Sequence, residues 1–449
     1  MHTPLTPEAI ERLAAPVPRY TSYPTAPHFS GAIDARAYAG WLESLPADAS
    51  LSLYLHIPYC QTLCWYCGCN TKATQRYQPV STYLQALRRE IGAVARLLPA
   101  VHGVAHIHFG GGSPNIVGAA DFETLVAQLR REFTVAADAE IAVEIDPRHC
   151  NDGYAAALQR AGITRVSIGV QDFDPEVQAA INRIQSFEAT ARVVRDLRAH
   201  GIGSLNIDLV YGLPRQTFER LDRTLSDVLK LAPDRIAVFG YAHLPERLTH
   251  QRLIDSTTVP GAVERHAFAA HIADRIEAGG YQRIGLDHFA RQHDALAKQP
   301  VKRNFQGYTI DAADALIGLG ASAIGRLPQG YVQNATATGD YQRRVHETGL
   351  AAVRGIALSA DDRLRASVIE RLMCSFELKT SELEREFGSS ARPILAEAEA
   401  LLARDGDGIV ERADDGFRIT PAGRPFVRSV CAHFDAYLGR GSTRFSTGI

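Results

Sequence analysis

Six apolar runs, each followed by a stretch of helical periodicity, restrict this chain more than any other feature. The runs are Leu51 to Ile57 (LSLYLHI), Val104 to Phe109 (VAHIHF), Ile141 to Ile145 (IAVEI), Arg165 to Val170 (RVSIGV), Ser204 to Val210 (SLNIDLV) and Arg235 to Phe239 (RIAVF). Between the first two, Tyr83, Leu84, Leu87, Ile91 and Val94 recur at helical spacing. Successive strand–helix units favour parallel strands joined by right-handed crossovers, and hence an α/β fold. Periodicity leaves open whether such a sheet stays open or curls into a partial barrel. In either case ligands belong at the carboxyl ends of the strands, and the polar motifs fall at or near those ends.

Composition removes several function classes. The 449 residues are 46% hydrophobic and 22% charged, enough for a sizeable core. With 48 basic and 50 acidic residues the net charge is -2, which gives no global attraction to nucleic acid or an anionic membrane. No run approaches the ~18 apolar residues of a membrane span. The opening MHTPLTPEAIERLAAP lacks the basic and apolar regions of a secretory signal. The expectation is a cytoplasmic protein without a membrane span.

Two segments stand outside the repeated pattern. Residues 1–48 include PRYTSYPTAP, proline-rich and aromatic with no helix or strand period, and are read as a segment that covers a site. Residues 49–355 form the catalytic unit. From 356 to 449 the pattern changes to helices around 361–375, 379–387 and 392–404, a hairpin GIVERADDGFRIT turning at Asp414–Gly416, and a last helix to about 438. Helices followed by such a hairpin suggest a winged-helix-like cap. Residues 361–449 carry 13 Arg or Lys against 15 Asp or Glu, so this unit has no electrostatic footprint for DNA.

Chemistry concentrates in LYLHIPYCQTLCWYCGCN, which holds four of the seven cysteines: Cys60, Cys64, Cys67 and Cys69. An odd cysteine total without an export signal argues against a disulfide framework and for a metal or redox site. A structural zinc site usually draws ligand pairs from two separated knuckles, and Cys67 and Cys69 are too close in sequence to close a good tetrahedron. Three thiolates on one loop suit three irons of a [4Fe–4S] cube and leave the fourth iron open for a cofactor.

C-x3-C-x2-C with an aromatic before the third cysteine resembles the radical S-adenosylmethionine (SAM) enzymes. Within them the chain resembles the oxygen-independent coproporphyrinogen III oxidase family. The matching stretches are PRYTSYPTA, YLHIPYCQTLCWYCGCN, FGGGSPN, VEIDPR, SIGVQDFDPEVQAAINR, NIDLVYGLPRQT, FGYAHLP, GLDHFAR, RNFQGYT and GLGASAI, and they span nearly the whole chain. The resemblance implies a partial (β/α)6 TIM-like barrel, a [4Fe–4S] cluster and two SAM molecules per chain. It implies an oxidoreductase of haem biosynthesis that turns two propionates of coproporphyrinogen III into vinyl groups, giving protoporphyrinogen IX. It further implies an electron donor and an electron acceptor, neither identified by the sequence; a monomer is the expected state. The alternative is a related haem chaperone that binds haem without turnover. That relative has an aromatic where Cys69 stands and lacks PRYTSYP, so both features favour the oxidase.

The resemblance also assigns residues. Cys60, Cys64 and Cys67 hold the cluster. Gly111 and Glu144 contact the first SAM, flanked by Tyr54 and Ile324. Gly112, Ser113, Gln171, Arg183, Asp208 and the Ala242 backbone contact the second, with Tyr66 beside it. Asp208 and Arg183 offer charges matching the SAM sulfonium and carboxylate. His56 lies near the cluster and, with Cys69, is taken as catalytic; the Cys69 thiol would relay a proton or hydrogen atom. Arg19, Tyr20 and Tyr23 are expected to bind or cover the substrate's carboxylates.

Overall fold

The structure, a computed structural model, describes residues 5–439 and 445–448. Its main sheet has twelve strands: β1 (Leu51–Ile57), β2 (Gly103–Gly111), β3 (Thr134–Ile145), β4 (Arg165–Gln171), β5 (Ser204–Tyr211), β6 (Arg235–Gly240), β7 (Tyr281–Ile284), β8 (His288–Arg291), β9 (Ala315–Leu319), β10 (Ile324–Leu327), β11 (Gly330–Asn334) and β12 (Ala352–Ala357). Their order across the sheet is β12-β11-β10-β9-β1-β2-β3-β4-β5-β6-β8-β7. Strands β1 to β6 pair in parallel, as their repeated strand–helix pattern requires. Strand β9 adds a seventh parallel member beside β1. The outer strands are antiparallel.

Side chains of six strands meet in one cavity of about 130 Å3: His108 of β2, Glu144 of β3, Ser167 of β4, Asp208 of β5, Phe239 of β6 and His288 of β8. A flat sheet cannot bring six strands to one point, so the sheet is curled. Strands β12 and β7 lie at opposite ends of the order, so the barrel stays open. All six repeated strands end at the same rim, which forms the mouth.

The helices follow the sequence period. In Gln78–Leu97 the buried side includes Tyr83, Leu84, Leu87, Ile91 and Val94, packed against the sheet. Strand β1 is buried on both faces, as a central parallel strand must be. The cap comprises helices Ala360–Ser375, Thr380–Phe387, Arg392–Arg404 and Val427–His433 with a three-stranded sheet, Glu377–Leu378, Gly416–Ile419 and Val410–Ala413 in that order. It has its own core around Leu364, Val368, Leu372, Phe417 and Phe434.

The amino-terminal segment departs from its reading as a stretch without helices: it contains Pro7–Leu13 and Ala35–Glu43. Both are short, so periodicity was weak, and both depend on caps. Thr6 accepts from the Ala9 amide, and Asp34 accepts from Arg36 and Ala37. Among the described residues no helix is long and apolar enough to cross a membrane.

Beneath β1 and β9 lies a buried carboxylate. Glu90 is fully enclosed and accepts from the Gly320 amide (2.7 Å), the Asn334 side chain (2.7 Å) and the Tyr341 hydroxyl (2.7 Å). Tyr83 extends the network by donating to the His56 carbonyl (2.7 Å) and accepting from the Ala321 amide (2.8 Å). Burial outweighs these hydrogen bonds and pushes the Glu90 carboxyl from 4.5 up to about 7. The folded state therefore binds the proton more tightly than the unfolded one, so stability falls as pH rises from about 4.5 to about 7 and is flat beyond. The contribution is on the order of 3 kcal/mol. Urea titrations between pH 5 and 8 should show that decline in the native sequence and its loss in Glu90→Gln; an unchanged slope would remove Glu90 as its source.

Candidate active site

The cysteine loop begins where β1 ends and folds back over the mouth. Gly112 and Ser113 of the segment after β2 donate to the carbonyls of Ile57 and Tyr59 (2.8 Å each) and hold the loop down. A Cβ at Gly112 would lie 2.5 Å from the Tyr59 carbonyl oxygen and 2.6 Å from the Thr71 hydroxyl. Gly111 has φ +111°, and a Cβ there would strike the His56 ring at 2.6 Å. The glycine run is thus required by close packing against the loop.

From the other side, the loop is tied to the β4 and β6 connections. The Trp65 amide donates to Ile181 (2.9 Å), and Asn182 donates to the Leu63 carbonyl (2.9 Å). His250 bonds the Cys67 carbonyl (2.7 Å), while Gln251 donates to the carbonyls of both Tyr66 (3.1 Å) and Ala242 (3.0 Å). Trp65 and Tyr66 lie on an apolar cluster that includes Val177, Ile181 and Tyr241.

All seven cysteines are free thiols. Each of the three loop cysteines faces hydrogen-bond donors. Ser113 donates to Cys60 Sγ (3.4 Å), with Thr71 at 3.2 Å. Arg148 and Arg183 point guanidinium N–H groups at Cys64 Sγ (3.4 and 3.5 Å). The Cys69 amide donates to Cys67 Sγ (3.4 Å). A hydrogen bond from the Cys69 thiol, assisted by that amide and by Arg183, pulls the Cys67 thiol down to about 7 against burial. Cys69 itself is exposed within the concave mouth.

This donor set fits a cluster held by thiolates, because each sulfur is already provided with positive or N–H/O–H partners for a negative charge. Among the described residues no three His, Cys, Asp or Glu side chains converge on one metal ion. Zinc thiolates sit about 2.3 Å from their single ion, whereas a cube takes each thiolate on a separate iron and needs no such convergence.

His56 is saturated: Nδ1 accepts from the Tyr54 hydroxyl (3.0 Å) and Nε2–H donates to the Asn70 carbonyl (2.9 Å). Burial lowers its pKa, so the ring is neutral and orients the end of the cysteine loop. Glu144 accepts from His108 (3.0 Å) and the Gly111 amide (3.2 Å), and its side chain remains 38% exposed. Asp208 is oriented by Ser167 (2.8 Å) and Asn206 (2.7 Å), and burial raises its pKa. Gln171 ends β4 with φ +71°, an uncommon conformation for a residue with a Cβ. Ile324 begins β10, where a Cβ on Gly318 would meet its backbone at 2.7 Å.

Arg183 does not reach Asp208; its charged partner is Asp146 (3.6 Å), which also takes a bidentate grip from Arg148. Burial pushes the Asp146 carboxyl up, but the two arginines outweigh it and hold it at about 2. Sequence reading missed Asp146, Arg148, His108, His250 and Gln251. The first two stand in VEIDPR and His108 faces the same way as Tyr54 across β1 and β2, so signals existed; His250 and Gln251 carried none. Tyr20 and Tyr23 pack against the cap and also line a cavity of about 460 Å3 between cap and barrel. Both are buried in the cap, where Tyr20 donates to Asp435 (3.0 Å) and Tyr23 accepts from the Ala436 amide (2.9 Å).

An open parallel barrel with a three-cysteine loop at its mouth defines a radical SAM protein, and residues 54–228 match the radical SAM superfamily. Residues 358–426 match the HemN C-terminal domain. The oxygen-independent coproporphyrinogen III oxidase of Bradyrhizobium diazoefficiens is 48% identical, covering 96% of this chain and 97% of its own. That of Pseudomonas aeruginosa is 41% identical over 96% and 95% of the two chains. The solved coproporphyrinogen III oxidase of Escherichia coli, described as a radical SAM enzyme, superposes with a TM-score of 0.89 at 40% identity, covering 94% of this chain and 98% of the other. The chain belongs to the oxygen-independent coproporphyrinogen III oxidase family.

Proposed function

We propose that this chain performs the oxidative decarboxylation of two propionate side chains of coproporphyrinogen III to vinyl groups, giving protoporphyrinogen IX without O2. The observation that carries this reading is the full-length family match together with the cysteine loop at the mouth. A cluster held by Cys60, Cys64 and Cys67, with SAM beside it, would supply the radical chemistry that takes a hydrogen atom from each propionate β-carbon, with loss of CO2 and one electron.

The chain's own residues prepare that chemistry. Cys60, Cys64 and Cys67 bind the cluster, while Ser113, Thr71, Arg148 and Arg183 offset the charge on their sulfurs. His56, taken as catalytic from the sequence, is assigned instead with Tyr54 to fixing the loop's far end, because both of its ring nitrogens are engaged. Glu144, steadied by His108, presents oxygens suited to ribose hydroxyls beside Gly111, Tyr54 and Ile324. A second SAM is assigned to Gly112, Ser113, Tyr66, Gln171, Asp208, Ala242 and Arg183. Supporting it, Asp208 shares a cavity with Glu144. Against an ion-pair role toward SAM, Arg183 is already committed to Asp146 and Cys64. Equilibrium dialysis is expected to return two SAM per chain; one would discard the second site. Residues 1–48 are assigned as the covering segment, 49–355 as the catalytic unit and 356–449 as the cap.

Anaerobic incubation with coproporphyrinogen III, SAM and a reductant, followed by mass spectrometry, tests the function: two successive losses of a carboxyl group are expected, and haem binding without CO2 release would leave a chaperone. Cys69 is assigned to hydrogen transfer, because it is exposed at the mouth and three other thiols suffice for the cluster. Cys69→Ser should keep its iron and still cleave SAM, yet lose most protoporphyrinogen formation. Loss of iron would make it a ligand, and near-normal turnover would make it packing.

A further inference from the structure

Beside the barrel mouth lies a cavity that the chemistry above leaves unused. It is bounded by Tyr211 at the end of β5, by Asp287 between β7 and β8, and by four arginines: Arg19, Arg283, Arg303 and Arg428. They come from all three parts of the chain. Arg19 belongs to the covering segment, stays exposed and donates to the Gly240 carbonyl at the end of β6 (2.9 Å). Arg428 is carried by the cap helix Val427–His433.

Charge in this cavity is unbalanced. Among the described residues Asp287 is its only acid, and that carboxylate is already shared between His288 (2.8 Å) and Arg303 (3.4 Å). Among the described residues Arg283 has only the Leu286 carbonyl (3.1 Å) as a hydrogen-bond acceptor. Arg428 is 7% exposed and makes no hydrogen bond or ion pair among the described residues. The Nε–H groups of Arg283, Arg303 and Arg428 are all buried without an acceptor among the described residues. Buried guanidiniums stay charged, and leaving them unpaired is strongly unfavourable unless an anion completes the site. Burial, with Arg19 and Arg303 nearby, pushes even Arg428 down to about 10.

We propose that this four-arginine cavity is the anchoring subsite for one carboxylate of the substrate, a propionate that is retained in the product. The inference rests on the proposed function. The cavity, about 40 Å3, admits a carboxylate or a few waters and excludes a tetrapyrrole ring, which must stay at the mouth. Planar bidentate guanidinium contacts suit a carboxylate. They also oppose its loss as neutral CO2, so the anchored arm is one that does not react. Because Arg19 and Arg428 come from the two ends of the chain, the subsite is complete only with covering segment and cap in place.

The test uses reconstituted holoenzyme under anaerobic conditions. Arg428→Gln should raise the KM for coproporphyrinogen III on the order of 30-fold or more, with kcat changed little. Iron content and SAM affinity should not move. Its thermal midpoint without substrate should stay level or rise, since an unpaired buried charge has been removed; a merely structural arginine would lower it. Arg283→Gln is the second variant and should raise KM in the same way. An unchanged KM in both variants, or a weakened SAM affinity in place of a raised KM, overturns the inference. Native enzyme that never consumes coproporphyrinogen III would instead overturn the functional reading on which it rests.

Discussion

Replacing Cys60, Cys64 or Cys67 singly by serine is expected to remove most of the iron and the visible charge-transfer absorbance. On the proposed assignment each thiolate would serve one iron, so two remaining thiolates would not hold the cluster. The surroundings sharpen the expectation at Cys64, where Arg148 and Arg183 face the sulfur and favour a thiolate that a neutral hydroxyl cannot supply. Cys150 and Cys374 serve as controls: burial pushes their thiols up to about 11 and about 12, so neither is a ready thiolate. Their serine variants should keep full iron and sulfide. A full complement in all three loop variants would make the cluster assignment wrong.

Gly112→Ala should be nearly as damaging without touching a sulfur. The new methyl would meet the Tyr59 carbonyl oxygen at 2.5 Å and its carbon at 2.9 Å. Both atoms are backbone, so relief requires the loop itself to move. The cost is on the order of 1–3 kcal/mol in stability. The functional cost is larger, because the bonds from Gly112 to Ile57 and from Ser113 to Tyr59 place the Ser113 hydroxyl against Cys60. Reconstitution is expected to yield well under half the native iron, with turnover reduced about tenfold or more, since small misplacements at an active centre are expensive. Native iron content and kinetics in this variant would show that the loop accommodates the methyl.

Much of the architecture was legible because it is local. Each of the six parallel strands is a short apolar run bounded by polar residues, and each helix of the cap carries its own period and turns. Strand β9 was not legible: Ala315–Leu319 is five residues long, and it joins β1 through pairing that crosses 264 residues. The two amino-terminal helices were missed because seven and nine residues give too little periodicity, although Thr6 and Asp34 were visible as caps. At the site, the cysteine spacing marked the loop. Which charge meets which did not follow from types alone, since Arg183 had several acids within its sequence neighbourhood and the fold chose Asp146. The arginine cavity was the least legible feature, because its members are scattered over the whole chain and only Arg19 had been singled out.

The cap core contains Tyr20 and Tyr23, and that has a consequence for synthesis. Tyr20 and its partner Asp435 are 415 residues apart. At roughly 5–20 residues per second, a ribosome takes about 20–80 s to make that much chain. Throughout that interval the amino-terminal tyrosines have no burial site, and the segment that carries them cannot adopt its final path against the cap. The cysteine loop emerges early, and the contact that joins the two ends of the chain forms last. Newly made chain therefore passes through a period in which the barrel strands and the cysteine loop are already made while Tyr20 and Tyr23 wait for the final helix, Val427–His433, and chain cut short before that helix is expected to leave both tyrosines exposed.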